Sequence, residues 1–237
     1  MRGRNLVLTL LTVPLMGQET VAPSAEKVGR ARGEDYANYN IVQSYELGVR
    51  FHEVTGNEGK YRSDVNFGNG VKLLGASFAL NSKDGHGAYV DELAVTLQGL
   101  GGDPYQFASV RAAKGNLFRY DMIWRESEYF NPALAIAGGR HRLDTRRRLQ
   151  DHEVTLFPRR SFRIFAGYSR AAQEGAALTT APGFDPTGDS INLFANIDRK
   201  QNEYRVGNEF RIFGFKLHWI RAWERYEELI PIRSNGV

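Results

Sequence analysis

The residues of this chain with the clearest chemical potential are its arginines. Five lie within a stretch of nine residues, at Arg140, Arg142 and Arg146 to Arg148. Guanidinium groups bind carboxylates and phosphates in a bidentate geometry, so this stretch predicts a basic loop that contacts an anionic group. The competing interpretation is a solvated loop without a ligand. No aromatic residues alternate with these arginines, so binding to nucleic acid is not predicted.

The sequence gives little support for catalytic or metal-binding chemistry. The chain has no cysteine, which excludes thiolate ligands, Cys nucleophiles and covalent Cys-x-x-Cys-His haem attachment. Its five histidines show no metal-type spacing. Asp185 and Asp189 would share a helix face, but Pro186 between them favours a loop. The sequence therefore predicts no catalytic residues, no metal site, no cofactor and no enzymatic activity.

From residue 41 onward, apolar and polar residues alternate with a period of two, which indicates that β-strands position the arginines. Tyr45, Leu47 and Val49 would face one way, while Glu46 and Arg50 would face the other. The charged positions on the polar side of these segments are Glu46, Arg50, Arg119, Asp121, Arg125, Arg163, Arg205, Glu209 and Arg211.

These segments and the turns between them predict about ten strands. Asn69-Gly70 and Asp84-Gly85 favour two-residue hairpins, and Lys114-Gly115, residues 158–160 and Gly214 mark further reversals. The strands are expected near residues 43–53, 60–67, 71–81, 88–98, 105–113, 116–127, 148–157, 161–171, 202–213 and 215–227. Helical periodicity is absent except around residues 145–151. The predicted fold is all-β, an antiparallel meander.

Three features favour a transmembrane β-barrel, complete or partial, over a soluble sandwich. The strands are long enough to cross a bilayer, aromatic residues lie towards strand ends on the apolar side, and full charges occupy mid-strand positions. A water-filled lumen accepts such charges, whereas a sandwich core does not. The charged positions are therefore predicted to face the lumen, with a preference for anions.

The amino terminus predicts export. A basic head, Met-Arg-Gly-Arg at residues 1–4, precedes an apolar run at residues 6–16 that is too short to span a bilayer. We expect a signal peptide over residues 1–22, a flexible mature N-terminus over 23–40 and the barrel over 41–237. The predicted location is the outer membrane of a Gram-negative-type cell, with outer-membrane lipid as a partner.

The chain resembles the MtrB/PioB family of outer-membrane barrels, which enclose multihaem cytochromes. The similar stretches are YELGVRF at residues 45–51, GKYRSDVNFG at 59–68 with the Asp84-Gly85 hairpin, HRLDTRRR at 141–148, and GYSR at 167–170. Family members are much longer, so the resemblance implies an N-terminal portion of a larger barrel. It also implies a periplasmic partner, such as a multihaem cytochrome.

Two functions remain open at this point, with a third less favoured. The first is an outer-membrane barrel that acts as a porin-like conduit or as a sheath for a partner protein. The second is a secreted soluble β-sandwich that binds glycans or anionic surfaces, and the third is a barrel hydrolase. Both long connections, near residues 128–147 and 172–202, are expected at the same rim. With ten strands and a periplasmic N-terminus that rim would be periplasmic, unless a further strand lies within residues 21–41.

Overall fold

The computed structural model describes residues 33–131, 144–177, 183–184, 187, 190–191 and 193–234. The predicted signal peptide lies outside these residues, and so do Arg140 and Arg142 of the predicted basic loop.

Thirteen strands and one short helix are present in the described residues. They are β1 (Glu34–Tyr36), β2 (Tyr39–Arg50), α1 (Glu58–Asp64), β3 (Gly70–Ser82), β4 (Glu92–Leu100), β5 (Tyr105–Lys114), β6 (Phe118–Tyr129), β7 (Thr145–Leu156), β8 (Phe162–Ala177), β9 (Gly183–Phe184), β10 (Ser190–Ile191), β11 (Leu193–Ile212), β12 (Phe215–Leu229) and β13 (Ile232–Ser234).

The sheet is an antiparallel meander, as predicted. Its strand order is β1-β2-β3-β4-β5-β6-β7-β8-β11-β12, while β13 pairs with the start of β11 and β9 pairs separately with β10. The nine long strands contain between 9 and 20 residues each. Strands of globular proteins average about 5–6 residues, and a tilted strand needs about 9–11 to cross a bilayer.

One predicted strand is wrong. Residues 58–64 form helix α1, where a strand was expected over 60–67. The Asn57 side chain accepts a hydrogen bond from the backbone N–H of Lys60 at 3.0 Å, which caps the helix N-terminus. Residues 145–151, the only place where a helix was suspected, lie instead in β7.

Most of the tight reversals lie at one end of the sheet, which we call the tight-turn rim. β5–β6, β7–β8 and β11–β12 each turn within a few residues, and the last of these turns has positive φ at both Phe213 (49°) and Gly214 (80°). This is the geometry of a type I′ hairpin. The β3–β4 connection at this rim spans residues 83–91, longer than the hairpin predicted at Asp84-Gly85. Asn69-Gly70 forms no hairpin, because Gly70 begins β3.

The opposite end is the long-connection rim. It carries the α1-containing segment of residues 51–69, the short β4–β5 turn and the two connections that follow β6 and β8. Both connections that are predicted to be long therefore follow strands that end at this rim, as predicted. The second is shorter than the predicted 172–202, because β8 extends to Ala177 and β11 begins at Leu193.

Little of this sheet is covered by other parts of the described chain. Ala195 and Ile197 are the buried hydrophobic residues there, whereas large apolar side chains on several strands are exposed. In the described part of the chain, the outer edge strands β1 and β12 do not pair with one another.

No helix within the described ranges is long and apolar enough to span a membrane.

Candidate functional site

The charged side chains singled out from the sequence share one face of the sheet, which we call the arginine face. Directly paired residues of antiparallel strands project to the same side. Glu209 pairs with Arg163. Arg125 pairs with Leu149, Leu149 with Ala171, and Ala171 with Gln201, which projects to the same side of β11 as Glu209. The members of the predicted set on this face are Glu46, Arg50, Arg119, Asp121, Arg125, Arg163, Arg205, Glu209 and Arg211.

Glu209 is the centre of a cationic cluster near the tight-turn rim. Its carboxylate accepts hydrogen bonds from Arg163 and, at 2.9 Å, from Arg211 Nε, and it lies 3.2 Å from Lys216 Nζ. The Glu209 side chain is almost buried under these three groups. One carboxylate cannot neutralise three cations, so the cluster carries a net positive charge.

A second network crosses three strands in the middle of the arginine face. Arg205 Nη2 on β11 donates to Asp151 Oδ1 on β7 at 2.6 Å, and Arg205 Nη1 lies 3.4 Å from Glu203. Ser169 Oγ donates to the same Asp151 carboxylate. To reach Asp151 the guanidinium passes over Gly167 on β8, where an added Cβ would lie 2.9 Å from Arg205 Nε. The glycine thus provides the space that this ion pair needs.

Carboxylates also compensate arginines on the earlier strands. Asp121 accepts from Arg111 Nε and lies near Arg119 Nε, both at 2.7 Å. At the long-connection rim the buried Asp103 carboxylate lies 2.6 Å from Arg50 and 3.4 Å from Lys72. Most of the predicted charges are therefore paired, which weakens the field expected from the arginines alone.

The segment of residues 51–69 folds over the β4–β5 turn beside Asp103. Arg50 lies over the Phe67 ring at 4.2 Å, and Arg62 of α1 lies over the Phe130 ring at 3.6 Å. Pro104 in the turn is fully buried. The segment thus connects β2 and β3 to the end of β6 at this rim.

Among the described residues of the arginine face, Arg125 shares with Arg147 the lack of a carboxylate partner. Its guanidinium lies 6.0 Å from the Phe107 ring, and no carboxylate of the described residues pairs with it. It therefore remains available to an external anion.

The opposite face, which we call the apolar face, has an ordered sequence of side chains along the strands. On β6 to β8, β11 and β12 it begins at the tight-turn rim with an apolar band, in which Phe118 and Phe210 are half-buried and the exposed members include Leu156, Phe162, Ile164, Val206, Ile212, Phe215, Leu217 and Trp219. On β2 and β3, exposed Leu47, Val49 and Val71 lie instead towards the long-connection rim. Arg221 interrupts this band, but its guanidinium stacks over the Trp223 ring at 5.0 Å.

A row of aromatic rings follows this band. His152, Tyr168, Tyr204 and Trp223 are directly paired across β7, β8, β11 and β12. Ring centroids are 6.0 Å apart for His152 and Tyr168 and 5.1 Å apart for Tyr168 and Tyr204. Tyr168 Oη donates to Asn202 Oδ1 at 2.8 Å, one row nearer the long-connection rim. The aromatic row thus has an apolar side and a polar side.

Beyond the aromatic row lies a charged belt, formed by Glu126, Glu128, Arg146, Arg148 and Glu174. Arg148 Nε lies 2.6 Å from Glu126, and Arg148 Nη2 lies 3.1 Å from Glu174. Arg146 Nε donates to Glu128 at 2.9 Å. The prediction of a basic loop over Arg146, Arg147 and Arg148 is therefore wrong, because these residues belong to β7. Arg146 and Arg148 join the belt, and Arg147 projects to the arginine face.

Several residues of the networks were not predicted. Lys216 lies between Phe215 and Leu217, so the alternation of this strand places it on the charged side, although it is not among the predicted site residues. Asp151 lies between Gln150 and His152, so the alternation does not identify its face. Lys72 and Asp103 could not be found this way, because their contact depends on how the β4–β5 turn folds against β3.

No family model, curated protein or solved structure matches this chain. Within the described residues, no group of His, Asp or Glu side chains has an arrangement that could hold a metal ion.

Proposed function

We propose that this protein is an outer-membrane β-barrel, or a large part of one, whose arginine face lines a water-filled lumen. The observation that carries the proposal is the order of side chains on the apolar face of β6 to β8, β11 and β12. An exposed apolar band is followed by the aromatic row and then by the charged belt. Outer-membrane barrels present this order to lipid, because aromatic rings with polar edges prefer the interface between hydrocarbon and water.

The solvent exposure of the apolar face supports the same proposal. A soluble sandwich would cover the apolar face with a second sheet. In the described residues, however, Leu217 and Trp219 on β12 are 66% and 51% exposed. Hydrocarbon would remove these side chains from water without a second protein layer.

The rims suggest an orientation. Because residues 58–64 are helical and β1 has only three residues, one membrane-length strand fewer than expected precedes the long connections. A periplasmic N-terminus then places the tight-turn rim in the periplasm and the long-connection rim outside the cell. Outer-membrane barrels have short periplasmic turns and longer external loops, so the conflict between the predicted strand count and the usual topology disappears.

The role that fits this architecture is passive. The arginine face would act as the wall of a porin-like conduit or as a sheath around a partner, and the resemblance to MtrB/PioB barrels makes a periplasmic multihaem cytochrome a candidate partner. The net positive Glu209 cluster and the unpaired Arg125 would give a conduit a modest preference for anions.

Membrane assembly tests the proposal. Leu217→Arg places a cation on the apolar face and is expected to impair assembly, because Arg near the bilayer midplane costs about 2–4 kcal/mol. Heat-modifiable mobility and recovery in detergent-extracted outer membranes would be measured. His218→Arg is the matched control, since His218 is the next residue of β12 and projects to the arginine face.

The wild-type chain should fractionate with outer membranes, and the His218→Arg variant should do the same. Release of the wild-type chain into the soluble periplasm or medium would contradict the barrel and favour a secreted sandwich. Equal assembly of the two variants would contradict the lipid-facing role of the apolar face.

A further inference from the structure

We propose that the arginine face contains a binding pocket for a small carboxylate with an apolar body. The proposal rests on the proposed function only in requiring that the arginine face be in contact with water. The pocket has a volume of about 330 Å³ and lies across β6, β7, β8 and β11. This volume is at the lower end of the range found for small-molecule sites.

The floor of the pocket is apolar. Ile123, Leu149 and Ala171 come from three neighbouring strands, and Leu149 pairs directly with Ala171. Ile123 is 39% and Leu149 37% exposed, so the floor is open to a ligand. A flat or short apolar body would cover these side chains and remove them from water.

One end of the pocket is cationic. Arg125 lines it and sits directly opposite Leu149 in the β6–β7 register. Because no carboxylate of the described residues pairs with this guanidinium, it can bind the two oxygens of an external carboxylate.

The carboxylates at the other end of the pocket are already paired and are not free to bind a cationic ligand. These carboxylates, Asp151 and Glu203, are both engaged by Arg205, and Asp151 also accepts from Ser169. A ligand amine would therefore have to displace Arg205, whereas a ligand carboxylate meets a free guanidinium. The pocket therefore favours an anionic ligand over a cationic one.

Benzoate is a suitable probe, and its binding to the purified full chain in detergent micelles can be measured by isothermal titration calorimetry. We expect benzoate to bind about tenfold more tightly than benzyl alcohol, since a hydrogen bond to a charged group contributes at least that factor. Arg125→Gln should lose about the same factor for benzoate and leave benzyl alcohol unchanged. Arg147→Gln is the matched control, because Arg147 lies on the same face near the pocket but does not line it.

A second variant neutralises the cationic end of the pocket without removing Arg125. Leu149→Glu places a carboxylate directly opposite Arg125 and should abolish the preference for benzoate over benzyl alcohol. Equal binding of benzoate and benzyl alcohol by the wild-type chain would overturn the proposal. A loss of benzoate affinity in Arg147→Gln as large as that in Arg125→Gln would also overturn it, because benzoate would then respond to the overall positive charge of the face and not to contact with Arg125.

The two proposals can fail separately. Arg125-dependent benzoate binding by a chain that does not fractionate with outer membranes would overturn the barrel alone. Correct membrane assembly without benzoate binding would overturn the pocket alone.

Discussion

At the scale of single residues, glycines allow long side chains to cross from one strand to the next. Phe165 on β8 lies over Gly207 on β11 and reaches His218 on β12, with ring centroids 5.0 Å apart. A Cβ at Gly207 would lie 2.2 Å from Phe165 Cζ and 2.5 Å from the backbone oxygen of Trp219. Aromatic rings packed over strand glycines help to fix the register of a sheet. The alternation pattern shows that Gly207 is in a strand but does not reveal this contact.

The substitution Gly207→Ala tests this packing. We expect it to destabilise the assembled protein by about 1–3 kcal/mol, because both the ring and the β12 backbone must move. Urea unfolding in detergent micelles would measure the change. Gly68→Ala is the control, since its Cβ would meet only Lys72 Nζ at 3.9 Å. Equal midpoints for the two variants would contradict the role of Gly207.

At the scale of elements, the sequence predicts all nine long strands, most clearly those in which alternation identifies both faces. Tyr204 and Val206 project opposite to Arg205, and Phe162 projects opposite to Arg163, as the alternation indicates. The same pattern places the predicted charges together on the arginine face.

The two errors at this scale have physical causes. Residues 60–67 contain Tyr61, Val65 and Phe67 at spacings that resemble a strand, but the Asn57 cap and the stacking of Tyr61 on His52 stabilise a short helix. The basic run of Arg146 to Arg148 overlaps the end of the predicted connection over residues 128–147 and is therefore predicted as part of a loop. In the structure Glu126, Glu128 and Glu174 on the neighbouring strands neutralise Arg146 and Arg148. Cross-strand partners of this kind cannot be read from one segment alone.

Asp84 provides a pH-dependent test of one connection. It links the 83–91 connection to the turn before β2 by accepting from Asn38 Nδ2 at 2.7 Å, and it also accepts from the His86 backbone N–H at 2.8 Å. The hydrogen bond from Asn38, followed by that from His86, holds the pKa of Asp84 below its ordinary value of 3.8. The ionised carboxylate therefore stabilises the folded state above that ordinary value, and the stabilisation is lost as pH falls through the lowered pKa.

We expect wild type to be more stable than Asp84→Asn at pH 7 and the difference to shrink as the pH falls below the ordinary value of 3.8. Denaturant midpoints measured from pH 7 to pH 2 would check this. In an Asn38→Ala background the difference should be smaller at every pH, because the largest cause of the shift is removed. A difference that does not change with pH would contradict the assignment.

At the scale of the whole molecule, charge on the arginine face should set the ion preference of the proposed conduit. The double variant Arg119→Glu with Arg205→Glu replaces two cations of this face by anions and should lower its preference for anions. Reversal potentials across a planar bilayer with a KCl gradient would measure the shift.

The matched control changes the same amount of charge on the apolar face. Arg170 and Arg225 both pair with Asn202 from opposite sides, so Arg170→Glu with Arg225→Glu changes side chains of the apolar face. It should leave the reversal potential close to wild type. If the first pair of substitutions also leaves the potential unchanged, the lumen assignment is wrong.

The free edge of β12 has a consequence for the size of any enclosed space. β1 at the far end of the sheet runs antiparallel to β12, yet it offers three residues against fifteen. Water can satisfy the backbone groups along most of that edge, but hydrocarbon cannot. The energetic penalty of entering a bilayer is therefore concentrated along a single seam, the line where the edge of β12 would have to pair with another strand. The diameter of a barrel grows with its number of strands, so whichever strands join at that seam determine the circumference and the largest molecule that fits inside.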